Sequence, residues 1–215
     1  MRLPDSDAAY AERVRYGRYV GRRLRRDKYA SMATDVDAAN TLVLQRGREW
    51  EDAQGPVQDA RADRDAADDH LDDIAKENRA KLAGRSADAA RTTPYTQVFP
   101  DGIEYYTAAP LDQEVPRYGQ LISRFNEFLD ANDDVRKAAV PSLTAGIAAF
   151  QAAVDAVNDA VTAEALASTR LDNAEEAWNV LMTKVYGALV ANVGKAAAER
   201  YFPKVRSGKK PKSDG

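Results

Sequence analysis

Apolar residues recur at alternating spacings of three and four over two long stretches of this chain. The first seam reads Val36, Ala39, Val43, Arg46, Trp50, Ala53, Val57, Ala60, Arg64, Ala67, Leu71, Ile74, with ten of twelve positions apolar. The second reads Ile147, Phe150, Val154, Val157, Val161, Glu164, Ser168, Leu171, Glu175, Trp178, Met182, Val185, Leu189, with ten of thirteen apolar. A narrow stripe at this period predicts paired helices of coiled-coil type. Capping chemistry at Pro4-Asp5-Ser6-Asp7 opens a first arm over about residues 6–84, and Gly55-Pro56 inside it predicts a kink. Pro141 at a helix start opens a second arm over about residues 141–200.

Between the arms lies a hub at residues 93–119, with four prolines and five aromatics. Pro100-Asp101-Gly102 has turn chemistry, and the flanking TQVF and IEYYT segments, which hold Phe99, Tyr105 and Tyr106, have strand propensity. A short irregular or β-hairpin cap is expected there. A short helix over about residues 114–132 follows, with the apolar set Tyr118, Leu121, Ile122, Phe125, Phe128 and Leu129. The fold class read from this pattern is all-α: an elongated antiparallel helical bundle, or coiled-coil-like hairpin, with a small cap. Residues 1–203 form a single domain in this reading, and residues 204–215 a basic disordered tail.

Folding the chain at the hub sets the seams antiparallel, with neighbouring residue numbers adding to about 225. That register places Arg64 near Glu164 and Arg46 near Glu175, predicting two structural ion pairs that fix register. It also leaves residues 6–28 as an extension beyond the paired helices, at the end where the tail emerges.

Charge changes the picture more than overall composition does. The formal net charge is -3, yet residues 1–28 hold nine basic groups against four acids, and residues 203–215 five against one. Two basic segments on an acidic body predict docking of an anionic partner. The residues expected to carry it are Arg13, Arg15, Arg18, Arg22, Arg23, Arg25, Arg26, Lys28, Lys204, Arg206, Lys209, Lys210 and Lys212. Tyrosines 10, 16, 19 and 29 interleave with the arginines, which makes non-specific nucleic-acid binding the alternative. Gly17 and Gly21 form a GxxxG spacing, a weak packing signal in so charged a segment.

Catalytic chemistry has little support. Cysteine is absent, His70 is the single histidine, and no P-loop, GxGxxG, GxSxG or HExxH occurs. Asp68, Asp69, His70, Asp72 and Asp73 resemble metal ligands in composition, but no Glu stands three residues before His70 as a ferritin-like site requires. A solvated acidic helix face is the reading preferred, and a carboxylate metal-binding bundle is a remote alternative. No run approaches the roughly 18 apolar residues of a membrane span. The expectation is a non-catalytic, cytoplasmic assembly or scaffold protein without cofactor. It self-associates or binds a protein partner through its basic segments.

Overall fold

A computed structural model describes residues 1–204. All secondary structure among them is helical, as the seams predict: α1 (Tyr10–Arg26), α2 (Ala30–Ala83), α3 (Tyr95–Val98), α4 (Glu104–Thr107), α5 (Glu114–Phe128), α6 (Asp134–Val193) and α7 (Lys195–Ala198). Single 3-10 turns sit at Ala89–Arg91 and Glu199–Tyr201. The chain divides into two compact units, Met1–Gly55 with Thr162 onward, and Pro56–Val161. The long helices α2 and α6 each contribute a stretch to either unit.

The first arm is two helices rather than one. The segment before Tyr10 stays non-helical because the Arg13 guanidinium draws in the carbonyls of Asp5, Ser6 and Ala8. Further along, α1 stops where Lys28 adopts φ 69°. There the amide of Tyr29 donates to the Leu24 carbonyl at 2.9 Å, and that of Lys28 to the Arg25 carbonyl at 3.3 Å. This is the pair of bonds that closes a helix through a left-handed residue. The chain then reverses into α2, so the basic helix folds back instead of extending beyond its neighbours.

The glycines of α1 and α2 mark how closely these helices approach. A Cβ on Gly17 would overlap the Asn40 amide, one on Gly21 would come within 2.8 Å of Asp37 Oδ1, and one on Gly47 would overlap the Tyr10 ring. The core of this unit joins Val14, Tyr16, Val20 and Leu24 of α1 to Val36 and Val43 of α2 and to Trp178, Met182, Val185 and Leu189 of α6. Trp178 Nε1 donates to Asn40 Oδ1 at 2.7 Å in this buried setting. Tyr201 and Phe202 close one side of the core, with Phe202 against Tyr16 and Tyr186.

The unit Pro56–Val161 replaces the expected β-hairpin cap with two single-turn helices. Val98 and Phe99 donate to the carbonyls of Pro94 and Tyr95, and Thr107 and Ala108 to those of Ile103 and Glu104. Helical spacing turns Tyr95 and Phe99 to one side, where Phe99 meets Tyr106 and Phe125 edge-on at 5.9 and 6.0 Å. Packing of these rings overrides the strand propensity of TQVF and IEYYT. Gly102, at φ 78°, makes the turn between α3 and α4.

The helix boundaries near Asp133 also differ from expectation. α5 ends at Phe128, short of residue 132, and α6 begins at Asp134, ahead of Pro141. Asp133 Oδ1 accepts the amides of Val135 and Arg136 at 2.9 and 3.4 Å, so the Asn132-Asp133-Asp134 run starts a helix rather than ending one. Both Pro56 and Pro141 lie inside continuous helices. No residue of α2 between Val57 and Leu71 is buried, nor any of α6 between Phe150 and Ala167. By length and composition alone, α6 contains an 18-residue stretch apolar enough to cross a membrane, which the sequence reading missed because its alanines are interspersed with polar residues.

Candidate anionic-partner interface

The expected docking residues separate into two groups on α1. Arg13 points inward: it is 2% exposed and pairs with Glu175 at 3.2 Å. Its other bonds go to the backbone carbonyls before α1, so it is a structural group and leaves the list of docking residues. Arg23 is half-buried with its guanidinium over the Tyr201 ring, 5.9 Å from the centroid. Arg25 is exposed but pairs with Asp37 of α2.

The second group is Arg15, Arg18, Arg22 and Arg26, all exposed. At 100° per residue these four fall within a sector of about 80° and rise over about 17 Å along the helix. None of them takes a carboxylate partner among the described residues, and only Arg15 makes a hydrogen bond, along its own helix to Ala11. Tyr19, 45% exposed, lies on the same side. The stripe exists because Val14, Gly17, Val20, Gly21 and Leu24 occupy the face that packs on α2 and α6. Lys28 is exposed at the turn and Lys204 is exposed at the end of the described chain, just beyond Tyr201 and Phe202, which dock beside α1. Arg206, Lys209, Lys210 and Lys212 lie outside the described residues.

The predicted ion pairs take other partners. Glu175 binds Arg13, because the folded-back α1 reaches it, while Arg46 pairs with Glu49 one turn along its own helix. Arg64 donates from Nε to Asp65 at 2.9 Å rather than to Glu164. Burial pushes the Glu175 carboxyl up, and the Arg13 guanidinium opposes that rise. Glu49 is held below the usual carboxylate range chiefly by its hydrogen bond from Arg46.

The hub residues divide between core and surface. Phe99 and Tyr106 are buried, Tyr105 is half-buried, and Pro100 and Asp101 are exposed at the turn with Gly102. Arg124 donates to the Tyr106 hydroxyl at 2.7 Å, and Arg117 donates to the Tyr105 carbonyl at 2.6 Å while lying 4.5 Å from its ring centroid. The acidic run is only partly solvated. Asp69, His70 and Asp73 are exposed, whereas Asp68 and Asp72 are half-buried and turn toward α5. No group of three His, Asp or Glu among the described residues is arranged to hold a metal ion.

Sequence reading missed the Trp178–Asn40 bond and the buried Glu114. Asn40 sits beside the seam and carries no signal, while the Gly17–Gly21 spacing lies where α1 and α2 come into close contact. Fold and site together define an all-α protein with an unpaired arginine stripe on one surface helix. No family model matches the chain, and no curated protein or solved structure is significantly similar to it.

Proposed function

We propose that this chain is a non-catalytic helical assembly protein that docks a polyanionic partner on the Arg15–Arg18–Arg22–Arg26 stripe of α1. The observation that carries this reading is the stripe itself: four exposed arginines on one face without carboxylate partners, whereas the buried and half-buried arginines among the described residues are engaged. Arginine forks suit phosphate or carboxylate groups arrayed along a polymer. The underlying scaffold is an antiparallel helical bundle in this proposal. Its support is the Asn40–Trp178 bond with the Glu49–Arg170 attraction in one unit, and Leu71 against Gly146 with the Arg85–Asp133 pair in the other.

Replacing Arg15, Arg18, Arg22 and Arg26 together by Gln tests the proposal. Fluorescence anisotropy with labelled duplex DNA and with a labelled poly-glutamate peptide, across a salt series, is the measurement. The parent chain is expected to bind at least one of them, and the variant to lose that binding with an unchanged melting temperature. If DNA is the ligand, losing four phosphate contacts lowers the slope of log K against log salt by about 3–4. Equal binding by parent and variant, or no binding to either polyanion at about 50 mM salt, overturns the proposal. Exposure of Tyr19 beside the stripe favours nucleic acid as the polyanion, since its ring is free to stack on a base.

Self-association belongs to the same proposal. Val161, Leu166 and Val180 stand exposed on α6. Sedimentation at micromolar concentration is expected to show a species larger than the monomer; a strictly monomeric boundary removes this part of the reading.

A further inference from the structure

We propose that Glu114, Asp68, Asp72 and Tyr118 form a proton-dependent clasp, which holds the start of α5 on α2 while Glu114 is protonated and loosens it when the proton leaves. Glu114 opens α5, yet its side chain is 2% exposed, and its Oε2 is buried without a hydrogen-bond partner. Asp68 Oδ1, across on α2, is likewise buried and unpartnered. The third carboxylate is occupied: Asp72 accepts the Tyr118 hydroxyl at 2.7 Å on Oδ1 and pairs with Lys76 at 3.0 Å through Oδ2.

Glu114 therefore lies within electrostatic reach of Asp68 and Asp72, with little positive charge among them. Lys76 is exposed and already engaged by Asp72. On the α5 side the only cation facing Glu114 is Arg117, and its guanidinium is drawn away to the carbonyl and ring of Tyr105. Asp68 is flanked further by Asp65 and Asp69, and its nearest cation, Arg64, is bound to Asp65. An ionised Glu114, itself buried, would feel the charges of half-buried Asp68 and Asp72 with little solvent to screen them. A proton on Glu114 removes one charge and supplies a donor where two carboxylate oxygens lack one.

The titration behaviour agrees with the geometry. Burial first, then the charges of Asp68 and Asp72, push the Glu114 carboxyl up to about 7, with Arg117 opposing. Burial and neighbouring aspartates also raise Asp68. A glutamate whose proton is held more tightly in the folded state stabilises the fold below its ordinary pKa of 4.5 and loses that stabilisation as pH rises through about 7. Above that pH both states are ionised and the dependence flattens.

The full chain tests this. Urea unfolding followed from about pH 5 to about pH 9 is expected to show the folded-to-unfolded ratio falling on the order of a hundredfold more in the parent than in Glu114→Gln, which keeps a neutral side chain of the same shape. Carboxyl 13C resonances should place the Glu114 midpoint near neutrality. An equal fall in parent and variant, or a midpoint in the ordinary glutamate range, overturns the clasp. Should Glu114→Gln fail to fold, Asp68→Asn decides: it is expected to lower the Glu114 midpoint, and an unmoved midpoint overturns the proposal. A large rise in melting temperature with manganese at high pH, absent from Glu114→Gln, would assign the carboxylates to a cation and also overturn it.

Discussion

Arg13 and Glu114 are equally buried, each at 2% exposure, but their surroundings treat the charge in opposite ways. Arg13 has a carboxylate, Glu175, and three backbone carbonyls around its guanidinium. Glu114 has two aspartates for neighbours and an oxygen with no donor. Arginine cannot shed its proton under ordinary conditions, so burying it requires partners, and the segment before α1 is arranged to supply them. A glutamate can instead take up a proton at modest cost, so it tolerates a site without a cation. The first solution makes a fixed joint between α1 and α6, and the second makes a joint whose strength depends on pH.

The largest effect is expected from breaking the fixed joint. Arg13→Met leaves Glu175 and the carbonyls of Ser6 and Ala8 without this donor, and the Asp5 carbonyl with the Ala8 amide alone. The loss should be about 3–5 kcal/mol in urea unfolding at neutral pH. The variant also sharpens the comparison, because it turns Glu175 into a second Glu114. Burial already pushes Glu175 up and Arg13 holds it down, so removing the arginine raises it further. Part of the lost stability should therefore return as pH falls and Glu175 takes up a proton. A deficit that stays constant between about pH 7 and about pH 5 would mean that Glu175 needs no charge partner. Adding Glu175→Gln to Arg13→Met should recover about 1–2 kcal/mol at neutral pH by removing the orphaned charge.

A smaller loss is expected from preventing the approach that buries Arg13 at all. Gly17→Ala puts a methyl group into the Asn40 amide, which cannot swing freely because Trp178 holds its oxygen at 2.7 Å. The cost should be about 1–3 kcal/mol, and a changed near-ultraviolet signal from Trp178 would report the displacement. Gly21→Ala overlaps less, its methyl coming to 2.8 Å from Asp37 Oδ1, and should cost less. Little or no loss at Gly17 would mean that α1 does not rest on Asn40.

The same contacts explain what could be read from the chain beforehand. Helical periodicity gave the class of fold and part of both cores, because Val36, Val43, Leu71, Trp178 and Leu189 repeat at spacings that only a helix can bring to one side. The return of α1 was not legible, because it turns on one residue, Lys28, whose type does not announce a positive φ. Missing that turn put Arg13 among the docking residues and gave Glu175 to Arg46. That error did not touch Arg15, Arg18, Arg22 and Arg26, which share a face wherever the helix lies. Glu114 was hidden for another reason: an acid at the start of a helix is the ordinary arrangement, and nothing local tells that its side chain turns inward.

Lys28 itself supplies the smallest effect and the only expected gain. Its backbone sits at φ 69°, where a side chain crowds the following carbonyl, and its own side chain is exposed. Left-handed backbone costs a residue other than glycine about 1–2 kcal/mol. Glycine accepts that conformation freely but gives the unfolded chain more freedom, which offsets part of the benefit. Lys28→Gly should raise stability by somewhat under about 1 kcal/mol while leaving the pH dependence attributed to Glu114 untouched. It removes one cation near the arginine stripe, so polyanion binding should weaken slightly as folding improves. If stability instead falls, the turn after α1 depends on the lysine side chain. The fixed joint at Arg13 would then be held from that end as well.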